Sequence, residues 1–404
     1  AIHSEADWNP YAGSPQILRW TEAVLRYWTT LQRPGGSFDE VYRGQDSYAA
    51  TAFTCYCAAE ATLLLRSVLQ DDVVESVTAS LERSGRWLAS NDELLACNQV
   101  AGAIMALVNT GRLSNNPDHA REARRLLGQL GRLQTDEGWF NEYGGADIGY
   151  SSLTLDYLVK IHTATGWEEA GTMASRLLEF LAWFVHRDGT AGGVHGSRNT
   201  EYVVPHGIEL LAAQDNALAG TLSHLLLNAI ASHPERAVVN RLDDRYLCYL
   251  GGFFMQAAAA ARPRTVTDIE LPCTTPHSQY FPAAGLWSHT NERYHLVVSA
   301  AKGGALRCDF HTGPSFQDSG IFVTRGDGVV FTSQSLQKNR MATPDAAHLE
   351  TRSPLVRIKH ITISPWRALL FKAYNLAMPR FLRHLALNLL RKRAVDSGES
   401  AGDT

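Results

Sequence analysis

The chain has 404 residues, with 37 Lys and Arg against 41 Asp and Glu and a formal net charge of -4. That near balance excludes a nucleic-acid partner held through a basic surface, and the length allows two domains around large cores. The six cysteines, at 55, 57, 97, 248, 273 and 308, form no C-x-x-C pair, so neither a zinc site nor a thioredoxin-like site is indicated and all six read as small buried hydrophobes.

The chain opens at Ala1 without a methionine or a signal-type apolar run, as expected of a trimmed chain or a piece of a longer one. Pro15 to Leu31 then carries Ile17, Leu18, Trp20, Val24, Leu25 and Trp28 at helical spacing, with Pro15 suited to a first turn. Ser47 to Leu69 is long, Ala-rich and rich in helix formers. Further helical runs cover 73–89, 94–110, 118–133, 150–165, 168–186, 203–214, 217–232 and 236–261. Asn91, Asp92 and Asn116 are the expected caps, and Pro117 and Pro234 suit first turns. About ten helices with short loops make about five hairpins, apolar enough inside to be covered on both sides. No stretch reaches the roughly twenty apolar residues of a membrane span.

A glycine-rich phrase recurs between these helices. It reads Gly35-Gly36-Ser37-Phe38-Asp39-Glu40-Val41-Tyr42, then Asp136-Glu137-Gly138-Trp139-Phe140-Asn141-Glu142-Tyr143, and more weakly Asp188-Gly189-Thr190-Ala191-Gly192-Gly193 running on to Glu201-Tyr202. Recurrence in units of roughly fifty residues predicts stacked helical hairpins whose loops gather at one mouth. The expected fold is an incomplete (α/α) toroid over residues 1–262. Near Arg262-Pro263-Arg264 the pattern changes to short β-branched and aromatic runs: Val266 and Ile269, Tyr294 to Val298, Leu306 to Phe310, Gly320 to Val323, and Val329 to Phe331. Asp327-Gly328 is a hairpin signal. An antiparallel β-sheet domain is therefore expected over 265–363, including Leu355 to Ile363. A helical segment over 364–395 and a polar, disordered tail over 396–404 follow. Six or seven strands make an unfinished sheet, so the native protein is expected to continue past this C-terminus.

The candidate chemistry lies in the loops. Tyr143 and Tyr150 flank Gly144-Gly145-Ala146-Asp147-Ile148-Gly149, and a tyrosine in a cleft serves as acid or base where a cation lowers its pKa from about 10. The bland alternative is that Tyr150 packs on the next helix. Asn98 is placed to neutralise a substrate carboxylate, or else to strut two helices. The stretch Gly196 to Gly207 holds Arg198, Asn199, Glu201, Tyr202 and His206, either a binding loop in which Arg198 grips a carboxylate or a capping network. Trp139 and Glu142 add an aromatic and an acid for sugar binding. His311 sits between two strands, in position to reach a cleft between domains. His277, His289, His295 and His311 fit no compact metal motif, so no metal or cofactor is expected.

These phrases, and the turn His311-Thr312-Gly313-Pro314-Ser315-Phe316-Gln317-Asp318-Ser319-Gly320, resemble the heparinase II/III-like polysaccharide lyases and their alginate lyase relatives. Gly36 to Glu40, Glu142 to Tyr150 and Gly196 to Tyr202 resemble a branch of that group met beside bacterial and archaeal surface-polysaccharide genes. The resemblance runs to about residue 393. It implies a toroid followed by an antiparallel β-sandwich, and β-elimination at a uronic acid. It carries over Asn98 as the carboxylate-neutralising amide, Tyr150 as the proton-transfer tyrosine with Tyr143 as its rival, and His311 as the sandwich histidine. His206 has no counterpart there, and Gln99 stands where many of those lyases have histidine. The expected partner is an acidic polysaccharide or oligosaccharide. Two other readings stand beside the lyase. One is a glycoside hydrolase using a pair among Glu40, Glu142, Asp147 and Glu201. The other is a polysaccharide-binding or assembly protein in which Trp139, Phe140, Tyr143 and Tyr202 stack on sugars.

Overall fold

The computed structural model describes residues 6–91, 93, 95–234, 240, 243–264, 269–336, 341–345, 348–358 and 364–378. The chain divides into two units: a helical one from residues 1–142, 147–192 and 200–273, and a β unit from 143–146, 193–199 and 274–404.

Ten described helices build the first unit: α1 Pro15–Leu31, α2 Tyr48–Leu65, α3 Asp71–Ala89, α4 Cys97–Ser114, α5 Pro117–Gly131, α6 Ile148–Thr165, α7 Glu168–Ala182, α8 His206–Ala212, α9 Ala217–Ser232 and α10 Asp244–Ala260. The even-numbered helices touch one another in succession, and so do the odd-numbered ones, while α2–α3, α4–α5, α6–α7 and α8–α9 pair as hairpins. This is an inner and an outer row, the toroid-like arrangement expected. The division follows from sequence. The inner α4 and α6 are buried on nearly every side, whereas the outer α3, α5 and α7 bury only one stripe. Phe53 of α2 packs on Tyr249 of α10 with ring centroids 5.8 Å apart, bringing the last inner helix back to the first. By length and composition alone the 18-residue α2 is apolar enough to cross a bilayer. Here it is an inner helix packed on α3 and α4.

Side-chain caps start α1, α2, α5, α6, α9 and α10, from Ser14, Ser47, Asn116, Asp147, Asn216 and Asp243. The cap expected for α4 is not at Asn91. The helix starts after Ala96, and Asp92 lies outside the described residues. So does much of 236–242 ahead of α10.

The repeated phrase is one turn built three times. The N–H of Arg33 donates to Ser37 O, that of Thr135 to Trp139 O, and that of His186 to Thr190 O. Within each turn Gly36, Gly138 and Gly189 donate back to Arg33, Thr135 and His186. All three glycines have positive φ: 98°, 94° and 73°. The first two copies also share their anchorage. Gln32 Nε2 donates to Gly36 O and to Ser80 O of α3, and Gln134 Nε2 donates to Gly138 O and to Met173 O of α7. A Cβ on Gly36 would stand 2.4 Å from Arg83 O, and one on Gly138 2.4 Å from Arg176 O. Positive φ and backbone contact together make this position intolerant of any side chain. Gly138→Ala is expected to cost about 1–3 kcal/mol, read as a lower urea midpoint with an unchanged m-value; an unaltered midpoint would contradict this account.

In the β unit, β1 His277–Phe281, β2 Leu286–Thr290, β3 Tyr294–Ser299, β4 Ala305–Phe310 and β5 Phe316–Asp318 form an antiparallel meander in chain order. A second sheet orders β10 Val356–Arg357, β7 Val330–Thr332 and β6 Phe322–Thr324, and a third pairs β8 Met341–Pro344 with β9 Leu349–Arg352. Among the described residues ten strands replace the six or seven expected. The hairpin at Asp327-Gly328 joins β6 to β7, where Arg325 N donates to Val329 O at 2.9 Å. Ile269 is in no strand; its N–H donates to Thr221 Oγ1 of α9 at 3.1 Å, in the helical unit. The helix after the strands, α11 Pro365–Ala377, is described. Val266, residues 359–363, the helical run past 378 and the tail 396–404 lie outside the described residues. Four cysteines are buried as expected, but Cys57 and Cys248 are exposed.

Candidate active site

Asn98, in the first turn of α4, donates its backbone N–H and its Nδ2 to the two oxygens of Glu142, at 2.8 and 2.5 Å. A β-bridge between Ala96 and Glu142 and the bond from Cys97 N to Asn141 O (3.2 Å) tie the same two loops together. Glu142 therefore caps α4 from 44 residues away. Both side chains are buried. Burial pushes the Glu142 carboxyl well above the ordinary carboxylate range; the two Asn98 donors offset part of this, and Asp147 and Glu93 push it further up. Asn98 Oδ1 is buried with no hydrogen-bond partner among the described residues.

A raised carboxyl pKa means that the folded chain holds a proton the unfolded chain has lost, so stability falls as pH rises from the ordinary carboxylate value through the raised one. Glu142→Gln removes that fall, and its amide can donate to Asn98 Oδ1 while accepting from Asn98 N. The variant is expected to be more stable than the parent at about pH 8 by about 1–2 kcal/mol, with a flatter pH dependence in urea titrations. A variant less stable at that pH would refute a protonated Glu142.

The start of α6 holds the second cluster. Asp147 caps the helix through Tyr150 N at 3.2 Å and also accepts from Thr200 Oγ1, which in turn accepts from Gly149 N at 2.8 Å. From Thr200 the chain runs along α6. Tyr202 meets Tyr150 edge to face at 6.4 Å, Val204 N donates to Ser152 Oγ at 2.8 Å, and His206 Nδ1 lies 2.9 Å from Asp156 Oδ1. Burial raises the Tyr202 phenol well above its usual value, with Tyr150, Tyr249, Asp147 and Tyr246 adding to the shift. Tyr249 is likewise raised, by burial first and then by Tyr150, Cys57, Glu142 and Tyr246. The ring contact of Tyr150 with Tyr202 and the Asp147 cap place two tyrosines and a carboxyl together at the head of α6. Tyr150 is half-exposed, as is Glu201.

Trp139 is buried against Phe180 of α7, ring centroids 6.3 Å apart, and its indole N–H goes to Glu137 at 2.9 Å. Of the acids weighed for hydrolysis, Glu40 accepts from Ser47 Oγ at 3.0 Å, Glu142 is held by Asn98, and Asp147 is the α6 cap.

The other expected residues belong to the β unit. The Arg198 guanidinium lies 4.5 Å from the centre of the Tyr143 ring. Tyr143 and Asn199 both have positive φ, 55° and 57°. Lys302 Nζ donates to Val194 O, Gly196 O and Asn199 Oδ1, fastening the segment that carries Arg198. His311 Nδ1 lies 3.1 Å from Glu292 O. Among the described residues no group of three or more His, Cys, Asp or Glu is arranged to hold a metal ion.

The fold is shared with a solved structure. The chondroitin AC lyase of Streptomyces coelicolor A3 in complex with chondroitin sulphate superposes with a TM-score of 0.55 at 14% identity, over 85% of this chain and 52% of that one. A point mutant of the same lyase gives 0.49 at 12% identity, over 77% and 48%. A protein described as a glycoside hydrolase gives 0.42 at 12% identity, over 86% and 70%. The chain thus spans about half the length of the lyase it resembles. No protein-family model and no curated protein matches it.

Sequence reasoning missed Tyr249, Thr200, Tyr56, Asp156 and Lys160. Asp156 and Lys160 did leave a signal: opposite charges one turn apart inside the apolar run Leu153 to Ile161.

Proposed function

We propose that the protein cleaves an acidic, uronate-containing polysaccharide by β-elimination, with the phenol of Tyr150 as a proton-transfer group. The carrying observation is the tyrosine cluster at the head of α6, in which Tyr150 is half-exposed while Tyr202 is buried behind it. Burial pushes the Glu142 carboxyl well above its ordinary range, which lessens the negative charge an anionic polymer would meet near the head of α4. The resemblance of the sequence phrases to heparinase II/III-like lyases favours the same class. So does the shared fold with a lyase solved bound to chondroitin sulphate. A hydrolase needs two carboxyls at liberty to serve as acid and base, and three of the four acids weighed for that role already serve the backbone or a side chain.

The test is incubation with chondroitin sulphate, hyaluronan, heparan sulphate and alginate. Elimination leaves a double bond conjugated to the carboxylate, seen as new ultraviolet absorbance that grows with the reducing ends. Reducing ends without that absorbance would establish a hydrolase, and neither signal across the panel would end the lyase reading.

A further inference from the structure

Charge is spread unevenly along this chain. Residues 353–395 carry nine Lys and Arg and no Asp or Glu, while all other residues together carry 28 Lys and Arg against 41 Asp and Glu. In the helical unit, exposed cations find acids: Arg26 meets Asp72, Arg124 meets Glu169 and Arg125 meets Glu122. The basic stretch supplies no acid for its own cations.

The helix α11 lies in this stretch. Ser364 Oγ caps it, accepting from Arg367 N at 3.3 Å, and Pro365 opens its first turn. Its charges do not serve the helix itself. The first turn holds Arg367 and no acid, and the last turn holds no base, the reverse of what the macrodipole favours. Trp366, Leu369 and Leu370 are exposed, at 72%, 56% and 64%. With Ala373 they stand at i, i+3, i+4 and i+7, which is one stripe of a helix. At about 100° per residue, Arg367 and Lys372 fall on opposite flanks of that stripe, and both are exposed. Phe371, also exposed, sits on the Arg367 flank.

A bilayer surface matches each of these features. The acyl boundary takes an apolar stripe, tryptophan favours the headgroup level, and long cationic side chains reach up to phosphates. Charge of one sign selects anionic lipid. An acidic polysaccharide would satisfy the cations but offers no apolar phase for Leu369 and Leu370. A second copy of the chain would bring nine more cations to the same place. The 13 residues of α11 make a rod about 20 Å long, short of the hydrocarbon thickness of about 30 Å, so the helix suits the plane of the interface and not a span.

We propose that α11 is an interfacial anchor that lays the protein on a membrane surface rich in anionic lipid. Arg380, Arg383, Arg391, Lys392 and Arg393, next in sequence, add to the attraction. The proposal is independent of the elimination reaction and holds whichever bond the protein cleaves.

The test is sedimentation of the full chain with vesicles of phosphatidylcholine alone, or of equal parts phosphatidylcholine and phosphatidylglycerol. The wild type should pellet with the anionic vesicles and remain in solution with the neutral ones. Arg367→Gln together with Lys372→Gln should weaken binding by about fivefold per cation and flatten its salt dependence. Leu369→Ser together with Leu370→Ser should weaken it by about 10–100-fold. The melting curve should not change, since both leucines are exposed. A wild type that leaves anionic vesicles unbound would overturn the anchor. So would a leucine variant that binds them as tightly as wild type, because charge alone would then explain the affinity. Equal binding to soluble dextran sulphate, indifferent to the leucines, would make the stretch a polyanion site instead. Self-association that the leucine variant loses, without vesicle binding, would assign the stripe to a second copy.

Discussion

Tyr150→Phe is expected to lower the elimination rate by about 10²–10⁴-fold, with a KM close to wild type and no loss of folding stability. The substitution removes only the hydroxyl. Asp147 caps the backbone N–H of residue 150 whatever its side chain, and the edge-to-face contact with Tyr202 at 6.4 Å needs only the ring. A fall in kcat with an unchanged melting curve therefore isolates proton transfer from packing. Tyr143→Phe is the control. That ring carries Arg198 at 4.5 Å through its face, which phenylalanine preserves, so the variant should keep most of its activity. If Tyr143→Phe were dead and Tyr150→Phe active, the assignment of the phenol would have to be exchanged.

Lys160→Met is expected to destabilise the protein by about 3–5 kcal/mol, the largest stability effect of any substitution considered. The ammonium neutralises a carboxylate with no exposure to solvent, and without it Asp156 keeps only His206 as a partner. Because the folded pKa of Asp156 is depressed, its contribution to stability is present above the ordinary carboxylate pKa and lost as pH falls through the folded value. In Lys160→Met that loss should begin at higher pH. Replacing the whole pair, Asp156→Leu with Lys160→Met, should be less harmful than removing the lysine alone, since no charge is then stranded. Urea unfolding followed by tryptophan fluorescence measures all three. A single variant within about 1 kcal/mol of wild type would mean that solvent reaches the pair.

The helical half of the fold was legible because apolar periodicity and caps agree over most of its length. Ser47, Asn116 and Pro117 open their helices as read, and Pro15–Leu31 and Ala217–Ser232 match to the residue. The start of α4 was not legible, because its first N–H groups are satisfied by Asn141 and Glu142 from another loop, and no local residue signals a cap supplied from a distance. The start of α8 was placed three residues early. Val204, read as helix, gives its N–H to Ser152 instead. Strands β1, β2 and β5 escaped notice because His277–Phe281, Leu286–Thr290 and Phe316–Asp318 are short and interleave polar residues without strict alternation. Of the candidate residues, the phrases around the loops and helix starts marked Asn98, Glu142, Tyr150 and Tyr202. The helix interiors concealed Tyr56, Asp156, Lys160 and Tyr249, since a pattern that reads inward-facing positions as core has no means of marking polar groups that pair inside it.

The first two copies of the repeated turn act as clasps between the two rows of helices. Each is riveted to the outer helix that follows it, through a glutamine and a glycine pressed on its backbone. The residues just beyond each glycine fasten instead to an inner helix, Phe38 N to Thr51 of α2 and Glu142 to Asn98 of α4. A turn held at both edges joins outer wall to inner, so lengthening the segment between Gly138 and Glu142 should release the first turn of α4 along with the loop.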